Sequence, residues 1–225
     1  MGFIVKNTTK CQIGDLLCPH YCRGCGRLGE VLCSRCKKNL KLAQNFCPKC
    51  HNVANERCAD CKIPFEKFYM CNWKDSLLGD LAKSYKYQSI RALTPVFVEL
   101  LEQLPFLKKE KNLILVPLPT TNLHIRERSL DHTYKIAHKL AKRNHLKCQK
   151  IISRKNNSVQ VGKAAKERWQ QAKESYEIIG KLDKNATYVL FDDVWTTGAS
   201  MCEAAKLMRK CGAKRIIGLV LVVSR

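Results

Sequence analysis

Two aspartates at the end of a short apolar run form the part of this chain that is best suited to chemistry. Residues 188–191 are apolar or aromatic, too few for a buried helix and typical of a buried parallel strand. Asp192 and Asp193 follow directly. Two carboxylates repel a phosphate but suit sugar hydroxyls or a Mg²⁺ ion, so we predict that both act at a reacting centre.

A turn rich in glycine and hydroxyl groups comes after the aspartates and leads into a helical run. Such a turn offers free backbone N–H groups and the positive end of the helix dipole, and it therefore suits a phosphate. A ribose that carries a 5′-phosphate needs both the acids and the turn at this spacing. The residues predicted to bind the phosphate are Val194, Trp195, Thr196, Thr197, Gly198, Ala199 and Ser200.

The first alternative is the acidic strand of an ATPase, known as Walker B. That strand should accompany the phosphate-binding sequence G-x-x-x-x-G-K-[ST]. The Gly-Lys pairs at 162–163 and 180–181 lack both the earlier glycine and the following Ser or Thr. The sugar-phosphate hypothesis is therefore favoured over an ATPase, and a Mg²⁺ pocket without sugar is the second alternative.

Eight cysteines in the first part of the chain form four C-x-x-C pairs. The spacing C-x₂-C-x₇-C-x₂-C occurs twice, which indicates an internal duplication. Each pair puts two sulfurs on one side of a tight knuckle, and two knuckles complete a tetrahedral Zn²⁺ site. A redox C-x-x-C motif does not explain four equally spaced pairs. Short spacers favour sequential pairing, and crossed pairing stays open. The predicted structural zinc ligands are Cys22, Cys25, Cys33, Cys36, Cys47, Cys50, Cys58 and Cys61.

Alternating helix-like and strand-like segments must position these groups. Apolar residues recur at helical spacing, and continuous apolar runs indicate buried strands. The predicted helices lie within 75–92, 95–104, 130–146 and 201–211, and the predicted strands at 113–118, 150–153, 186–193 and 215–223. This alternation predicts an α/β fold with a mostly parallel sheet flanked by helices. We place a small N-terminal zinc-binding domain at 1–62, a linker near 62–68, and the sugar-phosphate domain within 63–225.

A large excess of basic residues bears on what the chain binds. The formal charge is +22, and two Zn²⁺ ions held by eight thiolates would lower it to about +18. Such a surface attracts nucleic acid, an anionic membrane or a pyrophosphate-bearing substrate. Residues 154–175 are polar and basic and indicate a mobile functional loop. The residues predicted to act in this loop are Arg154, Gln160, Lys163, Lys166 and Arg168.

The sequence carries no pattern for crossing or leaving a membrane. No stretch approaches the roughly eighteen consecutive apolar residues of a membrane span. The first ten residues lack the basic start and apolar block of a signal peptide. Fourteen cysteines in that setting indicate metal sites or reduced thiols rather than disulfides. We expect a cytoplasmic protein without a membrane span.

The thirteen residues 188–200 resemble the phosphoribosyl-pyrophosphate signature of type I phosphoribosyltransferases, in which apolar residues precede Asp-Asp and Thr-Thr-Gly. Residues 18–225 as a whole resemble the ComF family of competence proteins, which join a double zinc ribbon to a phosphoribosyltransferase domain. The order that carries this resemblance is the C-x-x-C pairs, then 85–87 (Tyr-Lys-Tyr), 116–119 (Val-Pro-Leu-Pro), 126–128 (Arg-Glu-Arg), Gln160, Arg168 and 192–200.

The resemblance implies roles for residues that the chemistry alone does not single out. It implies a pyrophosphate loop formed by Pro117, Leu118, Pro119 and Thr120, and further ligand contacts from Arg126 and Arg128. It also implies that the loop with Arg154, Gln160 and Arg168 closes over the ligand. Three departures stand out: residues 129–132 read Ser-Leu-Asp-His instead of Gly-Phe-Asn-Gln, His51 replaces a glycine, and Trp195 replaces a small or aliphatic residue.

Two functions follow as expectations. The first is that the chain binds phosphoribosyl pyrophosphate or ribose 5-phosphate with Mg²⁺ and handles single-stranded DNA during natural transformation, together with other DNA-uptake proteins at the inner face of the membrane. Aromatic residues such as Trp169 and Trp195 would then stack on bases. The alternative is an active phosphoribosyltransferase, in which Mg²⁺ and basic side chains stabilise the leaving pyrophosphate while Asp192 and Asp193 hold the ribose hydroxyls. No acceptor-reading segment is identifiable.

Overall fold

The computed structural model describes residues 20–40, 46–52, 58, 60–88, 90–120, 131–155 and 176–224. The chain forms two compact units, which divide between Asn39 and Leu40. The predicted boundary between domains at residue 62 stays a prediction. Each unit is described by itself below.

The smaller unit is built around two cysteine knuckles. Tyr21 and Leu28 form an isolated antiparallel bridge across the first knuckle. The Gly26 N–H donates to the carbonyl of Cys22 at 2.8 Å, and Gly26 has a positive φ of 71°. A short helix α1 (Ser34–Lys38) follows Cys33 and carries Cys36. This unit has little apolar core, and units of this size commonly need a structural metal for stability.

The larger unit alternates strands and helices. Its elements are β1 (Lys67–Trp73), α2 (Leu77–Gln88), α3 (Leu93–Leu101), α4 (Phe106–Lys109), β2 (Leu113–Pro117), α5 (His132–Arg143), β3 (Lys147–Cys148), β4 (Ile152–Arg154), β5 (Tyr176–Ile178), β6 (Thr187–Trp195), α6 (Ala199–Lys210) and β7 (Arg215–Val223). Five of these strands form one sheet in the order β1-β7-β6-β2-β3, and every pairing in it is parallel. The predicted α/β fold with a parallel sheet is confirmed. Strands β4 and β5 form a separate antiparallel pair.

Helices cover both faces of the sheet, which explains why its central strands are apolar on both sides. Met201 and Met208 of α6 belong to the same buried cluster as Tyr188 and Leu190 of β6. Side chains alternate along a strand, so Asp192 shares this face and Asp193 lies on the other. Helix α2 contacts β1 and β7, and α5 contacts β2 and β6.

Strand β1 corrects the expectation of a linker over residues 62–68. Phe65 and Phe68 are buried, and β1 begins at Lys67. It pairs with β7 from Lys67↔Ile217 to Trp73↔Val223, so it is an edge strand. Its partner lies far away in the sequence, and no local pattern marks the pairing.

The order of the strands creates a crevice between β2 and β6. From β2 the chain passes through α5 to β3 at one edge of the sheet, whereas from β6 it passes through α6 to β7 in the opposite direction. In open α/β sheets, ligands bind at the carboxyl ends of the strands where such a reversal occurs. The segment 118–120 follows β2 and the segment 196–198 follows β6, so both reach this crevice.

The second cysteine cluster belongs to the larger unit. Cys47 is buried in the same apolar cluster as Phe65, Met70 and Trp195. His51 occupies the position that Gly26 has in the first knuckle: it has a φ of 62°, and its N–H donates to Cys47 O at 2.9 Å. Its ring meets the Trp73 ring edge-on, with 4.8 Å between centroids. A positive φ costs a non-glycine residue some backbone strain, which a glycine at this position would avoid.

Candidate functional site

A cavity of about 920 Å³ lies at the carboxyl edge of the sheet. It is bounded by the end of β6, the segment after β2, helix α2 and the first turn of α5. The sequence-predicted residues that line it are Leu118, Pro119, Thr120, Arg154, Asp192, Asp193, Val194, Thr196 and Ser200. The fold therefore gathers the acidic pair, the segment after β2 and the hydroxyl turn around one space.

The two aspartates lie in different environments. Asp193 is 6% exposed, and its carboxylate oxygens lie 3.3 and 3.4 Å from Lys86 Nζ. Asp192 is half-buried, and its Oδ1 accepts a hydrogen bond of 2.8 Å from the Asp193 N–H. Burial, followed by the charge of Asp193, raises the pKa of Asp192 well above its usual value, although Lys86 opposes this. One carboxylate is thus paired with a lysine, whereas the other lines the cavity and favours its protonated form more than a free aspartate does.

The turn after β6 requires glycine for two independent reasons. Gly198 has a φ of 75° and is the N-cap of α6, with no side chain capping the helix. A Cβ at this position would overlap the Trp195 ring. The Ala199 N–H donates to Thr197 Oγ1 at 3.4 Å, which tightens the turn. The N-terminus of α6 therefore opens toward the cavity edge with small residues and hydroxyls, the arrangement that suits an anion.

Trp195 is part of the core and not of a binding surface. Its side chain is 3% exposed, and its ring meets Phe68 edge-on at 4.9 Å and Phe65 at 6.3 Å. The hypothesis that this ring stacks on bases is wrong, because the ring fills the space between β6 and the residues around β1. The large residue is accommodated because Gly198 leaves room beside it.

Arg154 supports the segment after β2 from the side of β4. It is the last residue of β4 and therefore lies in a strand rather than in the predicted loop. Its Nε donates to Pro119 O at 3.2 Å, and its NH2 group donates to Tyr176 Oη at 3.0 Å. Burial raises the pKa of Tyr176, so this hydroxyl stays neutral at physiological pH. Arg154 thus lines the cavity while fixing the backbone of Pro119.

Pro117 and Asp131 line a neighbouring cavity of about 280 Å³. Asp131 caps α5: its Oδ1 accepts from the Tyr134 N–H at 3.1 Å, and its Oδ2 lies 3.6 Å from Lys150 Nζ. An acidic N-cap stabilises the start of a helix. This local role accounts for an aspartate where the resemblance leads one to expect asparagine.

Several residues of the cavity were not predicted from the sequence. They come mainly from α2, the turn before it and the start of α5: Lys74, Gly79, Lys83, Lys86, Tyr87, His132 and Thr133. The motif at 85–87 was part of the resemblance and was expected at the end of the helix predicted within 75–92, where the structure has it, but its place at the cavity was not predicted. The sequence did offer one signal for these residues, because the helical spacing of Gly79, Lys83 and Lys86 puts them on one face of α2.

Some predicted contacts lie outside the described residues. These are Arg126 and Arg128, the loop residues Gln160, Lys163, Lys166 and Arg168, and the aromatic residue Trp169. Their roles stay predictions. Thr197, Gly198 and Ala199 shape the turn but do not line the larger cavity.

The eight predicted zinc ligands form two clusters that follow the sequential pairing. Within each cluster the sulfurs lie within 4.8 Å of one another, and the clusters are Cys22, Cys25, Cys33 and Cys36, and Cys47, Cys50, Cys58 and Cys61. The Sγ atoms of Cys25 and Cys33 are 3.7 Å apart, and those of Cys50 and Cys58 are 3.8 Å apart. Zn–S bonds of about 2.3 Å in a tetrahedron separate sulfurs by about 3.8 Å.

Other features agree with metal binding. The cysteines are free and far from disulfide distance. The Cys33 N–H points to Cys22 Sγ at 3.3 Å, which favours the thiolate form that a zinc ligand requires. The donor set therefore fits structural Zn²⁺ at both clusters, and crossed pairing is excluded for this fold.

No protein-family profile matches the chain, and no curated protein is significantly similar to it. In the part of the chain that the structure describes, no helix is both long and apolar enough to cross a membrane.

Proposed function

We propose that the larger unit binds phosphoribosyl pyrophosphate or ribose 5-phosphate, together with Mg²⁺, in the cavity at the carboxyl edge of its sheet. The observation that carries this proposal is the convergence of Asp192, Asp193 and the turn 196–200 at the point where the strand order reverses. Carboxylates that can accept hydroxyl hydrogen bonds and a helix start that can accept an anion border one cavity, and a ribose 5-phosphate needs both.

Different residues of the cavity would bind the ribose, the 5′-phosphate and the pyrophosphate. Asp192 accepts hydrogen bonds from the ribose hydroxyls, and the turn 196–200 donates N–H and O–H groups to the 5′-phosphate. Arg154 keeps Pro119 in place beside the pyrophosphate. Mg²⁺, when bound, neutralises the diphosphate, and Asp192 is the better carboxylate for a contact with it because Lys86 already offsets the charge of Asp193.

The biological role that we propose is the handling of single-stranded DNA during DNA uptake, with the sugar-phosphate cavity as a binding or regulatory site. The formal charge of +22 supports attraction to polynucleotides. The resemblance to the ComF family, with its cytoplasmic site of action and uptake partners, supports the same role, and that step is an analogy.

The alternative, an active transferase, has one observation in its favour. The cavity lies near the upper end of the range of about 300–1,000 Å³ for small-molecule sites, and it continues past the aspartates along α2. It therefore offers space for an acceptor next to a bound sugar phosphate.

Calorimetry with Mg²⁺ and phosphoribosyl pyrophosphate tests the ligand. We expect binding to the wild type and its loss in an Asp192→Ala, Asp193→Ala double variant that retains its circular dichroism spectrum. Equal affinity of the two proteins would refute the site. Release of pyrophosphate on addition of a base or nucleotide would favour the transferase, whereas tight binding without turnover would favour the binding protein.

Fluorescence anisotropy with a labelled single-stranded oligonucleotide tests the DNA role. Affinity should fall steeply with salt, because phosphate contacts release counterions. Joint replacement of Lys163, Lys166, Arg168 and Lys173 by alanine should flatten the salt dependence, and phosphoribosyl pyrophosphate should compete with the oligonucleotide. Binding that ignores both changes would place the DNA surface elsewhere.

A further inference from the structure

The cavity has a basic surface in addition to the turn after β6 and the segment after β2, both of which are uncharged. We call it the α2 wall and define it by Lys74, Lys83, Lys86 and Tyr87, all of which line the cavity. Nothing in the proposed binding of phosphoribosyl pyrophosphate requires it, since that proposal assigns the 5′-phosphate to the turn 196–200 and the pyrophosphate to the segment 117–120.

The α2 wall is fixed by helix geometry and by one close backbone approach. Gly79, Lys83 and Lys86 lie at i, i+4 and i+7, so they follow one face of α2. A Cβ at Gly79 would overlap the backbone carbonyl of Lys74. The glycine therefore lets the turn that carries Lys74 lie directly against the helix, and this brings Lys74 to the same side as Lys83.

The lysines of the α2 wall are not equivalent. Lys86 is half-buried and forms the ion pair with Asp193, so the two charges offset each other. Lys74 and Lys83 are exposed, and no ion pair joins either of them to an acidic residue in the described ranges. Asp80 is the acidic residue of this helix that also lines the cavity. The α2 wall therefore keeps a net positive charge that faces a concave space.

Tyr87 gives the α2 wall an aromatic surface at its rim. Its side chain is 67% exposed while it lines the cavity. A ring of this kind, next to lysines, can stack on a base while the lysines contact a phosphate.

We propose that the α2 wall is a second ligand subsite that takes a nucleoside phosphate, with the base against Tyr87 and the phosphate at Lys74 and Lys83. This inference rests on the proposed function, because it takes the aspartates and the turn 196–200 as the site of the sugar phosphate. The nucleoside phosphate then lies in the same cavity as the bound sugar phosphate, so a mononucleotide should bind with and without phosphoribosyl pyrophosphate, whereas a longer strand that also reaches the turn 196–200 competes with that ligand. A base linked to a phosphate occurs both in a free mononucleotide and in a nucleotide of single-stranded DNA, so the ligand can come from either source.

Calorimetry and anisotropy with the full zinc-loaded chain test the subsite. The probes are thymidine 5′-monophosphate, thymidine and a labelled oligothymidylate, each with and without saturating Mg²⁺ and phosphoribosyl pyrophosphate. Lys74→Ala with Lys83→Ala should weaken binding of the phosphate-bearing probes about ten- to a hundredfold, as expected for the loss of charge-assisted hydrogen bonds. Tyr87→Ala should weaken binding of thymidine and its monophosphate alike, by about tenfold.

The matched control is Lys108→Ala with Lys109→Ala, two exposed lysines of α4 that do not line the cavity. It removes the same charge and should leave all affinities as in the wild type. A loss that affects the monophosphate and the oligothymidylate assigns a nucleotide from either source, and a loss that affects the oligothymidylate alone assigns the DNA strand.

Two outcomes overturn the inference while the proposed function stands. One is that the Lys74, Lys83 variant and the Lys108, Lys109 control bind nucleotides with equal affinity. The other is a loss of phosphoribosyl-pyrophosphate affinity in the Lys74, Lys83 variant with nucleotide binding unchanged, which would make the α2 wall part of the first site. If the wild type binds no phosphoribosyl pyrophosphate, the proposed function fails, and the measurements without that ligand still decide whether the α2 wall binds nucleoside phosphates.

Discussion

The ion pair between Lys86 and Asp193 should be a strong coupling within the candidate site. The two residues are 107 positions apart in the sequence, and their charged atoms are 3.3 Å apart. We consider a double-mutant cycle of Lys86→Met, Asp193→Asn and the double variant, in which each change removes one charge with little change of volume.

The distance and burial set the expected magnitude. Two unit charges 3.3 Å apart attract by about 5 kcal/mol at an effective dielectric constant of about 20. Both groups lose hydration on folding, and the Lys86 side chain keeps 27% exposure, so the net coupling must be smaller. We expect a coupling free energy of about 2–3 kcal/mol. Lys86→Met alone should be strongly destabilising, because it leaves a buried carboxylate beside Asp192.

Urea unfolding with excess Zn²⁺, followed by circular dichroism, measures the cycle. The control cycle uses Lys206 and Glu203, which are closer, at 2.7 Å, with side chains 50% and 11% exposed. Its coupling should be about 0.3–0.5 kcal/mol, the usual value for a pair within one helix whose lysine is well exposed. If the pair at the site couples no more strongly than this control, the view that Lys86 neutralises Asp193 is refuted.

Three further predictions follow from the same residues. Asp192→Asn keeps the acceptor for the Asp193 N–H but removes a carboxylate whose pKa is raised in the fold. Because a raised pKa disfavours the ionised form, unfolding of this variant at pH 7 should require about 0.5–2 kcal/mol more than that of the wild type. The gain should shrink in urea titrations as the pH falls toward about 4, and a constant gain would contradict the cause. Gly198→Ala should cost at least about 2 kcal/mol in the same assay, because of the positive φ and the overlap with Trp195, and Trp195→Leu in the same chain should recover part of that loss. Elemental analysis should find two Zn²⁺ per chain. Cys50→Ser should lower the thermal midpoint of the sheet-containing unit, because the second cluster packs into that unit's core, whereas Cys25→Ser should not. Equal midpoints in the two variants would contradict this difference.

The metal ligands and the acidic pair with its turn could be predicted from the sequence, because the residues of each group lie close together along the chain. The eight cysteines, and a preference for sequential grouping, were predicted from four C-x-x-C pairs with short spacers, and the structure then excluded the crossed pairing that the sequence had left open. The strand, acidic pair, turn and helix at 187–210 are likewise adjacent in the chain, so one pattern fixes their order. Continuous apolar runs predicted the parallel sheet, because its central strands are buried on both faces.

What the sequence left undecided depends on contacts between distant residues. Strand β1 was missed because its pairing with β7 joins residues about 150 positions apart, and an edge strand has only a short apolar signal. The place of Lys86 and of the α2 wall at the cavity could not be predicted for the same reason, since only the folded sheet brings α2 opposite Asp193. The packing of Trp195 was misjudged because burial depends on what lies across from a residue, here Phe65, Phe68 and the space left by Gly198. Tertiary structure also decided that the second cysteine cluster joins the core of the larger unit, whereas the two clusters have the same spacing in the sequence.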